Sequence, residues 1–432
     1  MTAWSNWSGW VRATPSSMLS PSSEAELALA VRDAQGPVRV VGSGHSFTPL
    51  CETGGTLLSL DRWQGVVSVD LPGCRATVRA GTKIHALGRP LHDAGVGLKN
   101  QGDIDRQAIA GAVSTGTHGT GPALGSLSSE VAAFRLVTAR GDVLNCNPTE
   151  NAEVWEAGRT SLGVLGVLSE ITLNVAPAYR LQERNWVMPA QACWRDIGKL
   201  RDAHRHFEFF WFPMADAVVA KTLDVTDEPV REPMDSARMQ ARGEQGSWDQ
   251  RVFETGCQAA RLLPGLSGPL QRFFTHGAMG ASSRARWSHE IFPSPRTVLF
   301  NEMEYAVPAA NGVDCIREVA EVIRSRNIGG VFPIEFRFVK ADDIWLSPFY
   351  KRDAATISVH QYTGQDYKPL FDAVEPVFWK YGGRPHWGKL HSLRASQLSQ
   401  LYPMWDRFQD LRRRLDPDAK FLNTYLRDVM GG

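Results

Sequence analysis

Leu27, Ala30, Val31 and Ala34 fall at i, i+3, i+4 and i+7 behind Ser23-Glu24-Ala25-Glu26. A Ser-x-x-Glu box ahead of an apolar stripe predicts a helix. Gly36-Pro37 stops it, and Val38 to Val41 reads as a short buried strand running into Val41-Gly42-Ser43-Gly44-His45-Ser46. Residues 65–81 alternate as two strands around Leu71-Pro72-Gly73, which predicts a hairpin, and residues 84–92 follow as a helix. A second run of small residues, 110–121, reads as a turn ahead of a strand at 134–138. A third, 161–167, leads into a strand at 168–175. Glycine turns thus recur at strand ends in an α+β unit over residues 1–175.

Beyond Pro177 the pattern changes. Residues 207–211, 302–307, 334–339 and 357–361 read as strands, and Ile316, Val319, Ala320 and Ile323 form one stripe of a helix between the second and third. This predicts a second unit over 176–399, an antiparallel sheet flanked by helices, with residues 400–432 packing back on the first. Residues 227–249 are polar without periodicity and read as a mobile loop.

Composition narrows the function. The 432 residues hold 47 Lys and Arg against 46 Asp and Glu, a net charge of +1, so no global field attracts nucleic acid or an anionic membrane. Enrichment in Trp and Phe after residue 177 reads as sheet core, not as a stacking platform. Six cysteines (Cys51, Cys74, Cys146, Cys193, Cys257, Cys315) form no C-x-x-C pair, which fits a reduced, cytoplasmic setting. No run approaches the ~18 apolar residues of a membrane span. The histidines outside the motifs (His85, His92, His204, His206, His276, His289, His391) lack metal-ligand spacing, so no catalytic metal is expected.

Glycine lets a ligand touch the backbone, and successive N–H groups can then converge on an anion such as a pyrophosphate. The dinucleotide fingerprint of Rossmann folds is not met, because Phe47 stands where its third glycine belongs and no clear helix follows. One such turn alone reads more readily as a tight strand exit. Three in one unit exceed what folding requires, since each ordered glycine costs roughly 0.5–1 kcal/mol relative to alanine. A long phosphorylated cofactor accounts for all three.

Val41-Gly42-Ser43-Gly44-His45-Ser46 resembles the flavin-attachment turn of the vanillyl-alcohol oxidase family of FAD enzymes. Gly116-Thr117-His118-Gly119-Thr120-Gly121 resembles that family's second FAD loop, and Gly163-Val164-Leu165-Gly166-Val167 its third. Glu335-Phe336-Arg337, Arg384-Pro385-His386-Trp387-Gly388-Lys389, and Asp416-Pro417 with Phe421-Leu422-Asn423 are similar to segments of the sugar-1,4-lactone oxidase and alditol oxidase branch. The resemblance implies a PCMH-type FAD-binding domain and a cap domain for substrate. It also implies one FAD bonded covalently to His45 and touched by Val41, Gly42, Ser43, Gly44, Ser46, Ser114, Gly116, Thr117, His118, Gly119, Gly166 and Val167.

Residues i and i+2 of a strand share a face, so Glu335 and Arg337 project together while Ile334, Phe336 and Phe338 cover the other side. Such a pair is trivial on a surface. With the resemblance, it reads as part of a site that oxidises an alcohol by hydride transfer to the flavin. Glu335 would orient substrate hydroxyls and share in proton removal, and His360, on the strand face of Ser358 and Tyr362, would act as base. Arg337 and Lys389 would supply positive charge beside the flavin. His386 is a second basic candidate, and His118 reads as shaping its loop. The branch implies a sugar lactone or a polyol as substrate and O2 as acceptor. Its alditol members tend to have a serine near the position of Ala108, which leans toward lactones, whereas Trp345-Leu346-Ser347-Pro348 suits either substrate. A non-catalytic flavin protein would have no need of Glu335, Arg337, His360 and Lys389 together.

Overall fold

The computed structural model describes residues 3–230, 248–278, 281–294 and 297–431. Behind the predicted box the helix runs over Glu24–Asp33, and Ser23 Oγ accepts from the Glu26 N–H at 3.1 Å. The Glu26 carboxylate reaches one residue further back than a capping box requires, accepting from the N–H and hydroxyl of Ser22 at 2.8 and 2.9 Å. Leu27 and Val31 face the core. The helix feeds the strand Val38–Val41, which pairs in parallel with Thr56–Ser59, itself parallel to Ser17–Leu19.

Beside this three-stranded sheet lies an antiparallel one ordered Val143–Cys146, Val131–Val137, Val167–Asn174, Arg75–Arg79 and Val66–Asp70, whose last two strands are the predicted hairpin. The helix Ile84–Asp93 buries Ile84, Leu87 and Leu91 against it. One expectation needs correction. Residues 110–121 are not a single turn, because Ile109–Ser114 is a helix and the turn begins at Thr115. Ile109, Ala112 and Val113 give it a buried i, i+3, i+4 stripe too short to stand out among glycines and alanines.

The second unit is an eight-stranded antiparallel sheet ordered Ser282–Trp287, Arg180–Pro189, Ala217–Val225, His206–Phe212, Ile334–Val339, Ala354–Tyr362, Phe300–Pro308 and Arg384–Pro385. The first three were not anticipated. Its two faces differ in chemistry. On one, Phe209 stacks on Phe336 with ring centroids 4.7 Å apart, and Tyr305 and Ile357 extend the layer beneath the helices Ala190–Ala203, Gly312–Ser325 and Lys368–Lys380. The opposite face carries Glu208, Lys221, Arg337, Glu335, Ser358, Glu304 and Glu302, aligned by register. That polar face lies against the first unit: Gly121 N–H donates to Phe338 O at 2.8 Å and Thr120 Oγ1 to Phe207 O at 2.6 Å.

The segment expected to be a mobile loop, 227–249, lies outside the described residues over 231–247, and from Trp248 the chain is helical to Leu262. Among the described residues no helix is long and apolar enough to cross a membrane.

The last part of the chain is fastened to the first unit. The Asp416 carboxylate accepts from the N–H groups of Lys420 and Phe421, each at 2.8 Å, and Val38 N–H donates to Lys420 O at 2.8 Å. Asn423 caps the helix Thr424–Met430 by accepting from Leu426 N–H at 2.8 Å, while its amide donates to Pro49 O and Glu52 O at 2.7 Å. Asn423→Ala removes the cap and the amide's bonds to Pro49 O and Glu52 O. Urea unfolding monitored by circular dichroism is expected to show a loss of about 1–3 kcal/mol with an unchanged slope.

Candidate active site

The strand Val38–Val41, the segments around Ala80 and Ala108, the helix Ile109–Ser114 and the turn before Val167 line an open groove. Its wall includes Val41, Gly42, Ser43, Gly44, His45, Ser46, Ser114, Gly166 and Val167 from the expected set. Two glycines have a local reason. A Cβ on Gly42 would lie 2.7 Å from the Ala108 Cβ, so only glycine lets the two walls approach this closely, and Gly44 has φ of +66°. Among the described residues no protein group accepts from the N–H of Ser43, Gly44, His45 or Ser46. Four successive donors without a protein acceptor, in residues that line a groove, suit an anionic ligand.

Gly116, Thr117, His118 and Gly119 do not form part of that wall. Their loop turns instead to the second unit, where His118 Nε2 lies 2.6 Å from Glu304 Oε1 and its Nδ1 2.8 Å from Gly119 O. The groove also has a buried cation that the sequence reading missed. Arg39 is 4% exposed, and it donates only to carbonyls: Leu50 O and Phe421 O at 2.6 Å, Leu162 O at 2.7 Å and Gly163 O at 3.4 Å. Burial without a carboxylate pushes its guanidinium down to about 10.

His45 sits where the groove meets the polar sheet face. Its ring is 5.5 Å from that of Trp7, and burial, then the charges of Lys389, Lys83 and Arg106, push its imidazole down to about 4. At neutral pH the ring is therefore uncharged, with a lone pair available. Lys389 joins the two regions, lying 5.0 Å from the centre of the Phe47 ring and paired with Glu302.

On the sheet face Glu335 pairs with Arg337, as the i, i+2 spacing predicted. Arg337 also donates through Nε to Glu208 at 2.7 Å and through Nη2 to Asp103 at 3.2 Å, and Lys221 lies 2.8 Å from Glu208. His360 Nε2 is 3.6 Å from Glu302 and 3.8 Å from Glu335. Ser358 Oγ donates to Glu304 at 2.9 Å, and His386 Nδ1 accepts from Gly388 N–H at 3.0 Å, which occupies the nitrogen it would need as a base.

Equal burial has opposite outcomes for two of these carboxyls. For Glu335 burial outweighs the attraction of Arg337, and Asp103 and Glu208 add repulsion, so the group is pushed up to about 7. Burial acts on Glu302 too, but Lys389 and His360 outweigh it and hold the carboxyl down at about 2. Glu302, Glu335 and His360 bring three ligand-type atoms within 4.8 Å of one another, and Lys389 and Arg337 already supply the positive charge there. The sequence reading missed Asp103, Glu208, Lys221, Glu302 and Glu304. Glu302 and Glu304 had a readable signal, two carboxylates at i, i+2 alternating with Met303 and Tyr305 in a strand otherwise made of core residues.

Residues 15–147 match an FAD binding domain, and residues 171–429 match the family described as D-arabinono-1,4-lactone oxidase. An L-gulono-1,4-lactone dehydrogenase of Mycobacterium tuberculosis is 41% identical over 436 residues, covering 99% of each chain. The L-gulonolactone oxidase of Bos taurus is 32% identical over 98% of this chain and 97% of its own. A crystal structure of cholesterol oxidase shares the fold, with a TM-score of 0.82 over 99% of this chain and 96% of its own at 18% identity. The chain belongs to the D-arabinono-1,4-lactone oxidase family of FAD-dependent oxidoreductases, in the vanillyl-alcohol oxidase group of flavoproteins.

Proposed function

We propose that the protein oxidises the carbinol at C2 of an aldono-1,4-lactone such as L-gulono- or D-arabinono-1,4-lactone, with O2 as final acceptor and hydrogen peroxide as product. The observation that carries this reading is the buried face on which Glu335, Arg337, His360 and Lys389 come together beside His45. In this proposal residues 1–175 hold the cofactor, with 400–432 returning to them, and 176–399 hold the substrate. The unpaired cysteines support a cytoplasmic setting.

FAD supplies, when bound, the acceptor for the hydride that leaves the carbinol carbon. The free N–H groups of Ser43 to Ser46 would hold its pyrophosphate, with Arg39 as nearby positive charge, and the groove walls at Val41, Gly42, Ser114, Gly166 and Val167 would hold the rest. Gly116, Thr117, His118 and Gly119 serve by fastening their loop to Glu304. The uncharged imidazole of His45 is the group we assign to the covalent bond with the 8α-methyl carbon.

The substrate hydroxyl gives its proton to His360, with Glu335 as the neighbouring carboxyl that holds the sugar hydroxyls and shares the proton. A group near 7 can do both at neutral pH. Arg337, occupied by three carboxylates, orients Glu335, and Lys389, paired with one and adjacent to His45, supplies positive charge where negative charge develops.

A second reading concerns the acceptor alone. The Mycobacterium tuberculosis relative is named a dehydrogenase, which favours an acceptor other than oxygen. Peroxide release in air, compared with dye reduction under argon, separates the two. An alditol in place of the lactone is the remaining alternative for the substrate, and anaerobic bleaching of the flavin by a panel of lactones and alditols is expected to proceed at lower concentration with the lactones.

Flavin-loaded protein is expected to leave a fluorescent band on a denaturing gel, and His45→Ala a dark one; a dark band from the parent ends the covalent assignment. Glu335→Gln is expected to keep its flavin and lose about 10²-fold or more in turnover. The same variant tests the proton affinity. The folded protein holds a proton on Glu335 between 4.5, the ordinary value, and about 7, so stability falls as pH rises through that window. In Glu335→Gln that fall should vanish from a series of urea midpoints, while the loss contributed by Glu302, below 4.5 and toward 2, should persist.

A further inference from the structure

Asp103 belongs to the first unit, in the segment between Val96–Gly97 and the helix Ile109–Ser114, yet its carboxylate lies among the charges of the sheet face. Its side chain is 12% exposed. One oxygen accepts from Arg337 Nη2 at 3.2 Å and the other lies 3.5 Å from Lys221 Nζ. Its carbonyl accepts from Ser294 N–H at 2.9 Å, which fixes the backbone on the second unit's side. The same Arg337 Nη2 faces Glu335, while Nε is taken by Glu208. Two carboxylates, one from each unit, therefore share one guanidinium nitrogen and its charge.

The groups around Glu335 come from every packed element. Its own strand contributes Arg337, the strand His206–Phe212 Glu208, and the strand Ala354–Tyr362 His360. Beyond His360 lies Glu302, neutralised by Lys389, and beyond Glu208 lies Lys221, also near Glu183 at 4.0 Å. Asp103 and Glu208 share Arg337 with Glu335, and when ionised both repel its charge, which favours a proton on the buried carboxyl.

We propose that Asp103 is a positioning residue for Glu335: by sharing Arg337 Nη2 it keeps the guanidinium from neutralising Glu335 and so sets the pH at which that carboxyl exchanges a proton. This rests on the reading of Glu335 as a proton-handling group. The direction agrees with the repulsion by Asp103 that helps to raise Glu335. Closing the first unit onto the sheet thus completes the acid–base group as well as enclosing the substrate space.

The test is the pH dependence of kcat and of stability in flavin-loaded Asp103→Asn, with Asp103→Ser as a second neutral variant and Asp103→Glu as the charge-conserving control. The acidic limb of kcat is expected to move down by about one pH unit in the neutral variants and to stay in place in Asp103→Glu. The fall in urea midpoint above pH 4.5 should end at correspondingly lower pH. A limb that stays in place in a folded neutral variant overturns the proposal. So does failure of both neutral variants to fold while Asp103→Glu folds, which would assign Asp103 to architecture alone. Glu335→Gln separates this from the reading beneath it: if that variant keeps both the limb and its turnover, the role of Glu335 itself has failed.

Discussion

The structure depends on burying one face of a β-sheet that is made of charge. Glu208, Lys221, Arg337, Glu335, Glu304 and Glu302 are all under a tenth exposed, and an isolated charge so placed would cost several kcal/mol. The cost is met by pairing along and across strands, since the antiparallel register sets Glu208 opposite both Lys221 and Arg337. Removing one partner of such a set is more harmful than never having had it, because the remaining charge stays buried. The network fixes where the first unit can sit, as Asp103 and His118 enter it from that side.

In the function proposed above, the two units meet different recognition problems with different atoms. A pyrophosphate is held well by main-chain N–H groups, which need small residues and little else, as the turn from Gly42 to Ser46 would supply. A sugar hydroxyl that must lose a proton needs side chains of tuned affinity, and in that proposal these come from strands whose opposite face is locked by Phe209 and Phe336. Lys389 is where the two meet. It pairs with Glu302 on the sheet, and its charge adds to burial in depressing the imidazole of His45 at the groove.

Much of this was legible in the residues. The period-2 alternation of Ile334–Val339 predicted both the strand and the shared face of Glu335 and Arg337, and the stripe of Ile316, Val319, Ala320 and Ile323 predicted its covering helix. The strands Arg180–Pro189 and Ala217–Val225 escaped notice because part of what they carry inward is charged, as with Glu183 and Lys221, and Ser282–Trp287 because this edge strand buries no residue and so shows no apolar alternation. The helix Ile109–Ser114 escaped because glycine and alanine signal turns and helices alike. Asp103 had no local signal at all. Its role exists only once a loop 234 positions from Arg337 has been brought against it.

Arg39 carries a consequence for how the molecule comes into being. Its guanidinium spans carbonyls from three distant stretches, Leu50, Leu162 with Gly163, and Phe421, the last 382 positions away in sequence. The wall beside the glycine turn cannot take its final form from the amino-terminal unit alone, however complete that unit's own sheets are. During synthesis the ribosome must deliver the chain as far as Phe421 before the arginine is fully satisfied, which places completion of this groove late in the life of the nascent polypeptide.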